Sequence, residues 1–313
     1  MTGRQRLTIV LVLFAAGLGV WLVLERVSAS AGRPQDGQPA ALAEPLPQRI
    51  IATAPSAIET LFALGAGGRV VGVGDFAVYP PEAKARPRVG GEFNPNFERL
   101  LTLEPDLVIA QGKAEALADF CQRHGIRILH TNMNALDTIR SGIRDLGRAV
   151  GREAEADRLV ASLDLGLATV AWRVAGRPRP KVFLAMGHRA GSLTGLSTAT
   201  GTSFLSQLVA FAGGDNLFAD VQQWYPPVSK EALLQRAPDV ILELHPGESL
   251  PESVQQQLIA DWDAMPSLPA VRNRRIHVLT HDYLMIPGPR VARVAEVLAE
   301  VLHPEAGKKP NDQ

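Results

Sequence analysis

Three features of the sequence predict an α/β fold built as two similar lobes. Short β-branched runs alternate with helical stretches from about residue 49 onward. One long helical stretch divides those runs into two sets. A fifteen-residue pattern, NFERLLTLEPDLVIA from Asn96, returns as SKEALLQRAPDVILE from Ser229, 133 positions later.

In the first set, RIIAT (49–53), VVGVG (70–74), DLVIA (106–110) and IRILHT (126–131) read as strands. Their near-continuous apolar character indicates parallel sheet covered on both faces. Helices are expected at Ala57–Leu64, Asn96–Leu103 and Ala114–His124. In the second set the strands are KVFLAM (181–186), DVILEL (239–244) and RIHVLTH (275–281), with helices at Ser203–Ala212, Lys230–Arg236 and Arg290–Leu302. Between them, Asp137 to Val174 carries Ile139, Ile143, Leu146, Val150, Leu159, Leu163, Leu167 and Val170 at helical spacing. Gly142, Gly147, Gly151 and Gly166 weaken that stretch and are sites at which it would break. The expected organisation is an N-terminal lobe (49–136), a connecting helix (137–176), a C-terminal lobe (177–304) and a short tail (305–313).

Upstream, Arg4 and Arg6 precede an uncharged apolar run over residues 7–24, followed by Ala29-Ser30-Ala31. The run is long for a signal-peptide core and just long enough to span a bilayer. Residues 1–31 are therefore a cleaved signal peptide or a retained membrane anchor. In both cases the basic flank places the rest of the chain outside the cytoplasm. Residues 32–48, rich in Pro, Gly and Gln, read as a flexible tether.

Composition excludes several classes of function. The first 31 residues carry Arg4, Arg6 and Arg26 against Glu25; the remainder holds 29 basic and 31 acidic residues, so no basic field exists for nucleic acid. A lone cysteine, Cys121, excludes an intrachain disulfide and a multi-cysteine zinc or iron–sulfur site. It is expected to be a buried, inert thiol. No G-x-x-x-x-G-K-[ST] motif occurs, so the chain is not an ATPase of that type, and no paired-histidine spacing marks a metal site. No cofactor is expected.

The segments RIIATAPSAIETLFALGAGGRVVGV, YPPEAK, RVGGEFNPNFERLLTLEPDLVIA, GTSFLSQLVAFAGGDNLF, YPPVSKEALLQRAPDVIL and PGPRVARVAEVLAEVLHPE follow one another over residues 49–304. In that order they resemble the periplasmic binding proteins of ABC importers for vitamin B12, iron siderophores and haem. The resemblance implies two α/β lobes bridged by one long helix, a ligand cleft between them, and little movement on binding. It implies capture of a bulky chelate (a corrinoid, a ferric siderophore or haem) and delivery to an ABC permease and its ATPase. Glu59 and Glu231 match the family's acidic residues, one per lobe, that dock on permease arginines, and are expected to be exposed.

Cleft residues follow from the rule that loops at strand C-terminal ends face the ligand in open α/β sheets. That rule selects Thr53–Ser56, Asp75–Tyr79, Gly91–Asn94, His188, Trp224–Tyr225 and His281–Tyr283. Tyr79, Trp224 and Tyr225 would supply stacking surface. Tyr225 matches an aromatic of the B12-binding relatives, and Asp282 an acidic cleft residue. Glu92 stands where an aromatic is expected and Ile286 where an arginine is, which departs from the B12 pattern. Few arginines fall in these loops, which argues against a strongly anionic catecholate ligand. His188, His281 and Tyr283 read as hydrogen-bonding cleft residues, with haem-iron ligation as the sharper alternative.

Two rival functions remain open at this level. Gly195-Leu196-Ser197-Thr198-Ala199 partly resembles a nucleophile elbow, so a tethered serine hydrolase would use Ser197 with Asp239 and His277 or His281. A ligand-sensing accessory module would keep the fold and change the role.

Overall fold

The computed structural model describes residues 45–91 and 94–307. The described residues from Leu46 onward form one compact unit. The expected signal peptide or anchor, the tether up to residue 44, and Glu92 lie outside the described residues.

The N-terminal lobe is a four-stranded parallel sheet in the order β2–β1–β3–β4, formed by β1 (Ile50–Ala52), β2 (Val70–Val73), β3 (Leu107–Gln111) and β4 (Arg127–Thr131). Helices α1 (Pro55–Ala63), α2 (Pro81–Lys84), α3 (Phe97–Thr102) and α4 (Glu115–Arg123) connect the strands. Cys121 of α4 is buried, and that burial pushes its thiol pKa up to about 11, which keeps it protonated and inert.

The C-terminal lobe repeats the order as β6–β5–β7–β8, with β5 (Lys181–Ala185), β6 (Asp215–Asn216), β7 (Val240–Leu244) and β8 (Ile276–Leu279) all parallel.

The sequence echo has a structural cause. Asn96 accepts a hydrogen bond from the N–H of Arg99, and Ser229 from the N–H of Ala232, so each caps the helix it precedes. Asp106 accepts from the N–H groups of Gln48 and Arg49, and Asp239 from the N–H of Lys181. Each aspartate therefore ties its own strand to the start of the neighbouring strand.

Side-chain alternation sorts the strands into faces. Ile50, Ala52, Leu107, Ile109, Val182, Leu184, Val240 and Leu242 join one core that runs through both lobes and the helices between them. Ile51, Val108 and Ala110 face a separate N-terminal cluster, and Phe183, Ala185 and Ile241 a separate C-terminal one around Trp262. A core continuous across the lobes resists hinge bending, because bending would open packed apolar surface to water.

The expected single connecting helix is two helices. α5 (Leu136–Val150) ends at Gly151, whose φ of 66° is the left-handed conformation that glycine accepts cheaply, and α6 (Glu153–Arg173) begins two residues later. The pair runs antiparallel, with Arg140 bonded to Asp164 at 2.7 Å and Arg144 to Asp157 at 2.9 Å. The other glycines in this stretch mark close contacts. A Cβ on Gly147 would come within 2.5 Å of Ala156, and one on Gly166 within 2.8 Å of Ala292. α6, with 21 residues and a length of about 31 Å, is the long bridging helix. It packs against α7 (Phe204–Phe211) and α11 (Val291–Leu302) of the C-terminal lobe.

The remaining helices are α8 (Lys230–Arg236), α9 (Glu252–Asp261) and α10 (Pro269–Arg272). Among the described residues, no helix is long and apolar enough to cross a membrane.

Candidate functional site

The C-terminal ends of the two sheets meet in a cleft. On the N-terminal side a cavity of about 280 Å³ is lined by Thr53–Ser56, Phe76, Gly91, Asn94 and Gln111, together with Met285, Ile286 and Pro287 from the other lobe. On the C-terminal side a cavity of about 790 Å³ is lined by residues including Met186–Ala190, His245, Glu248 and again Met285. Met285 belongs to both walls, so the two cavities are halves of one cleft.

Its floor is polar and tied together. The Ser56 hydroxyl donates to Gln111, and the Gln111 amide reaches Asn134. The carbonyl of Asn134 accepts from the N–H of Phe204 in the opposite lobe.

Phe76 is 74% exposed and lines the N-terminal cavity. Trp224, 48% exposed, stands edge-on to Tyr225 with ring centroids 5.6 Å apart. Tyr225 itself is half-buried, packs on the shared core and bonds to Ser203. Burial raises its phenol pKa against the opposing effect of that bond.

Several expected ligand contacts are engaged elsewhere. The His188 side chain is fully buried, with Nδ1 3.0 Å from Glu243 Oε1 and Nε2 3.1 Å from Asp261 Oδ2. Two ionised carboxylates need two N–H donors, so His188 is an imidazolium with no free nitrogen for a metal or ligand. Burial alone would lower its pKa, but the bonds to Glu243 and Asp261 prevail and raise it.

Glu243 is 0% exposed and also accepts from Trp262 Nε1 at 2.7 Å. Burial would raise its pKa; His188, His245 and Trp262 together hold it below the usual carboxylate range. His245 completes the chain, 3.7 Å from Glu243 and 3.5 Å from Glu248, and its pKa is raised by those carboxylates. Asp261 also accepts from the N–H of Gly191 at 2.7 Å, which fastens the loop after β5 to α9. The network thus stiffens the C-terminal cleft wall from behind.

A second ionic group replaces the expected exposed docking residue. Glu59 is 2% exposed, not free on the surface. Arg290 grips it with both arms of its guanidinium, at 2.8 Å from Nε and 2.5 Å from Nη2, and holds Asp282 through Nη1 at 3.0 Å. Burial raises the Glu59 pKa, and Arg290 opposes that rise without cancelling it.

Tyr79 lies over the Arg290 guanidinium at 4.1 Å, and Tyr283, itself buried, at 5.1 Å. Tyr79, Asp282 and Tyr283 therefore serve this ion cluster and do not line either half of the cleft. His281 is exposed, its ring tilted by 44° against that of Tyr283 with centroids 5.2 Å apart. Glu231 is exposed on the first turn of α8, where its own N–H and Ser229 hold its pKa below the ordinary value.

Ser197 is not at a strand–helix elbow. It bridges Pro227 in extended conformation, and its carbonyl accepts from the N–H of Met186. Among the described residues, no group of three or more His, Cys, Asp or Glu is placed to hold a metal ion.

Sequence reasoning missed His245 although it is the first residue after β7, nearer its strand than His188, the third after β5. It also missed Glu243, whose position inside a buried parallel strand is itself the signal that a partner must exist. Arg290 carried no local signal, since its partner Glu59 is 231 positions away.

The fold and cleft can be compared with known proteins. The vitamin B12-binding protein of Vibrio cholerae serotype O1 is 30% identical over 281 residues, covering 84% of this chain and 92% of that protein. An uncharacterized ABC transporter substrate-binding lipoprotein of Bacillus subtilis is 28% identical over 271 residues, covering 84% of this chain and 82% of that protein. Among solved structures, the periplasmic vitamin B12-binding protein of Vibrio cholerae superposes with a TM-score of 0.68 at 28% identity, over 84% of this chain and 99% of its own. A periplasmic haem-binding protein from Pseudomonas aeruginosa superposes with a TM-score of 0.73 at 25% identity, over 85% and 95%. The family model described as periplasmic binding protein matches residues 50–283, and the chain belongs to that family.

Proposed function

We propose that this chain captures one bulky, largely planar chelate in the cleft outside the cytoplasm and hands it to an ABC permease. The carrying observation is the cleft itself: two cavities at facing strand ends, sharing Met285, with the exposed ring of Phe76 in its wall. An exposed aromatic beside a partly apolar cavity suits a flat ligand held by stacking. Arg189 is the sole arginine among the described residues lining the two cavities, which disfavours a strongly anionic catecholate and leaves corrinoid and haem as the better matches. Relatives named for vitamin B12 or haem binding support the same choice.

Docking through Glu231 fits its exposure. Glu59 can take part only if Arg290 lets it go.

The test is titration of the purified protein with haemin, cyanocobalamin and a ferric siderophore, followed by absorbance and calorimetry. One of them is expected to bind one-to-one with sub-micromolar affinity. Absence of binding to all three refutes the reading. The mature protein is expected to begin at Gly32, or the intact chain to partition with membranes; N-terminal sequencing decides between the two.

A further inference from the structure

Residues 282–290 lie between two cavities. Met285, Ile286 and Pro287 line the N-terminal half of the cleft. Pro289 and Arg290 line a different cavity of about 550 Å³ beside α1, with Glu59, Phe62, Tyr79, Glu82 and Arg86. The two cavities share no residue, so the segment is a wall with a ligand side and an outer side.

Little in its own backbone holds that wall. Its hydrogen bonds are short-range: the N–H of Leu284 to His281, of Ile286 to Tyr283 and of Gly288 to Ile286. Gly288 rests against Ser56 at the start of α1. Tyr283 and Leu284 are buried in the shared core, and the ionic tether to the N-terminal lobe is Arg290, whose fork grips Glu59 while its remaining arm grips Asp282 at the other end of the segment. Tyr79 and Tyr283 cover the guanidinium from the two lobes. Both ends of the segment are thus pinned by one side chain.

We propose that Arg290 is the positioning residue of the cleft: by clamping Asp282 and Glu59 it sets the place of Met285–Pro287, and displacing it from Glu59 loosens that wall and frees the ligand. The proposal rests on the cleft being the ligand site.

The test uses the full mature chain without a partner, as wild type, Glu59→Gln, Arg290→Lys and the exposed control Glu296→Gln. Glu59→Gln keeps shape and removes charge; Arg290→Lys keeps charge and removes the fork. Thermal melts establish that each variant folds.

Hydrogen exchange at the amides of Leu284, Ile286 and Gly288 is expected to quicken by about tenfold in Glu59→Gln and Arg290→Lys, with strand amides unchanged and the control like wild type. The dissociation rate of bound haemin or cyanocobalamin is expected to rise by a similar factor. Unchanged exchange in both variants, or faster exchange with an unchanged dissociation rate, overturns the proposal. If neither pigment binds the wild type, the proposed ligand class fails, and the exchange measurement still decides whether Arg290 holds the wall.

Discussion

Replacing His188 with Ala tests the buried ionic network behind the cleft. The substitution leaves Glu243 at 0% exposure with only Trp262 Nε1 at 2.7 Å and the more distant His245 at 3.7 Å. Removing one partner of a buried pair costs about 3–5 kcal/mol, because the remaining charge stays desolvated. For a chain of this size that corresponds to a fall in melting temperature of roughly 6 to 20 °C.

The deficit must also depend on pH in a particular direction. His188 has a raised folded-state pKa, so its contribution is complete below the ordinary value of 6.5 and fades as pH climbs through the folded value. Glu243 and Asp261 have lowered folded-state pKa values. Their contributions are complete above the ordinary 4.5 and 3.8 and fade as pH falls through the folded values. The gap between wild type and His188→Ala should therefore be widest between those limits and narrow on both sides.

His245 and Glu248, from the segment after β7, also face the network, and the neutral amide of Gln257 on α9 donates to Asp261. The assay is thermal unfolding by circular dichroism from about pH 4 to pH 9. A gap under about 1 kcal/mol, or one flat across that range, would refute the assignment of His188 as a paired imidazolium. His188→Gln, which keeps one donor, should fall between the two.

Three further outcomes are expected. Phe76→Ala should weaken ligand binding by about 1–3 kcal/mol in calorimetry while leaving the melt nearly unchanged, whereas Tyr225→Ala should lower the melting temperature because its ring packs on the shared core. Glu231→Arg should change stability by no more than about 0.5 kcal/mol and leave ligand affinity intact, yet reduce cellular uptake of the ligand; unimpaired uptake removes Glu231 from the docking face. Gly151→Ala should destabilise by about 1 kcal/mol or more in chemical denaturation, since φ of 66° is strained for alanine and its Cβ would come within 2.7 Å of Leu46.

What the sequence determined alone was set by local physics. Strand and helix positions follow from apolar period, caps and prolines, and seven of the eight strands begin within a residue or so of where the pattern puts them. The repeated Pro-Asp unit was legible because Asp106 and Asp239 perform the same strand-tying bond in each lobe. The break at Gly151 was visible as a weakness. Its consequence, an antiparallel hairpin, depends on Ile143, Leu146 and Val150 meeting Ala156, Val160 and Leu163 in the shared core, with Arg140 and Arg144 pairing to acids of the next helix at its surface.

Only the tertiary structure decided which polar residues meet. Tyr79, Asp282 and Tyr283 occupy loops that the strand-end rule sends toward the ligand, yet one guanidinium gathers them away from the cleft. The resemblance implied an exposed acid at Glu59, and Arg290 buries it. A charge's environment depends on every element packed around it, and those contacts join residues far apart in the chain. No window of sequence contains them, and so exposure, pairing and protonation were fixed only when the lobes came together.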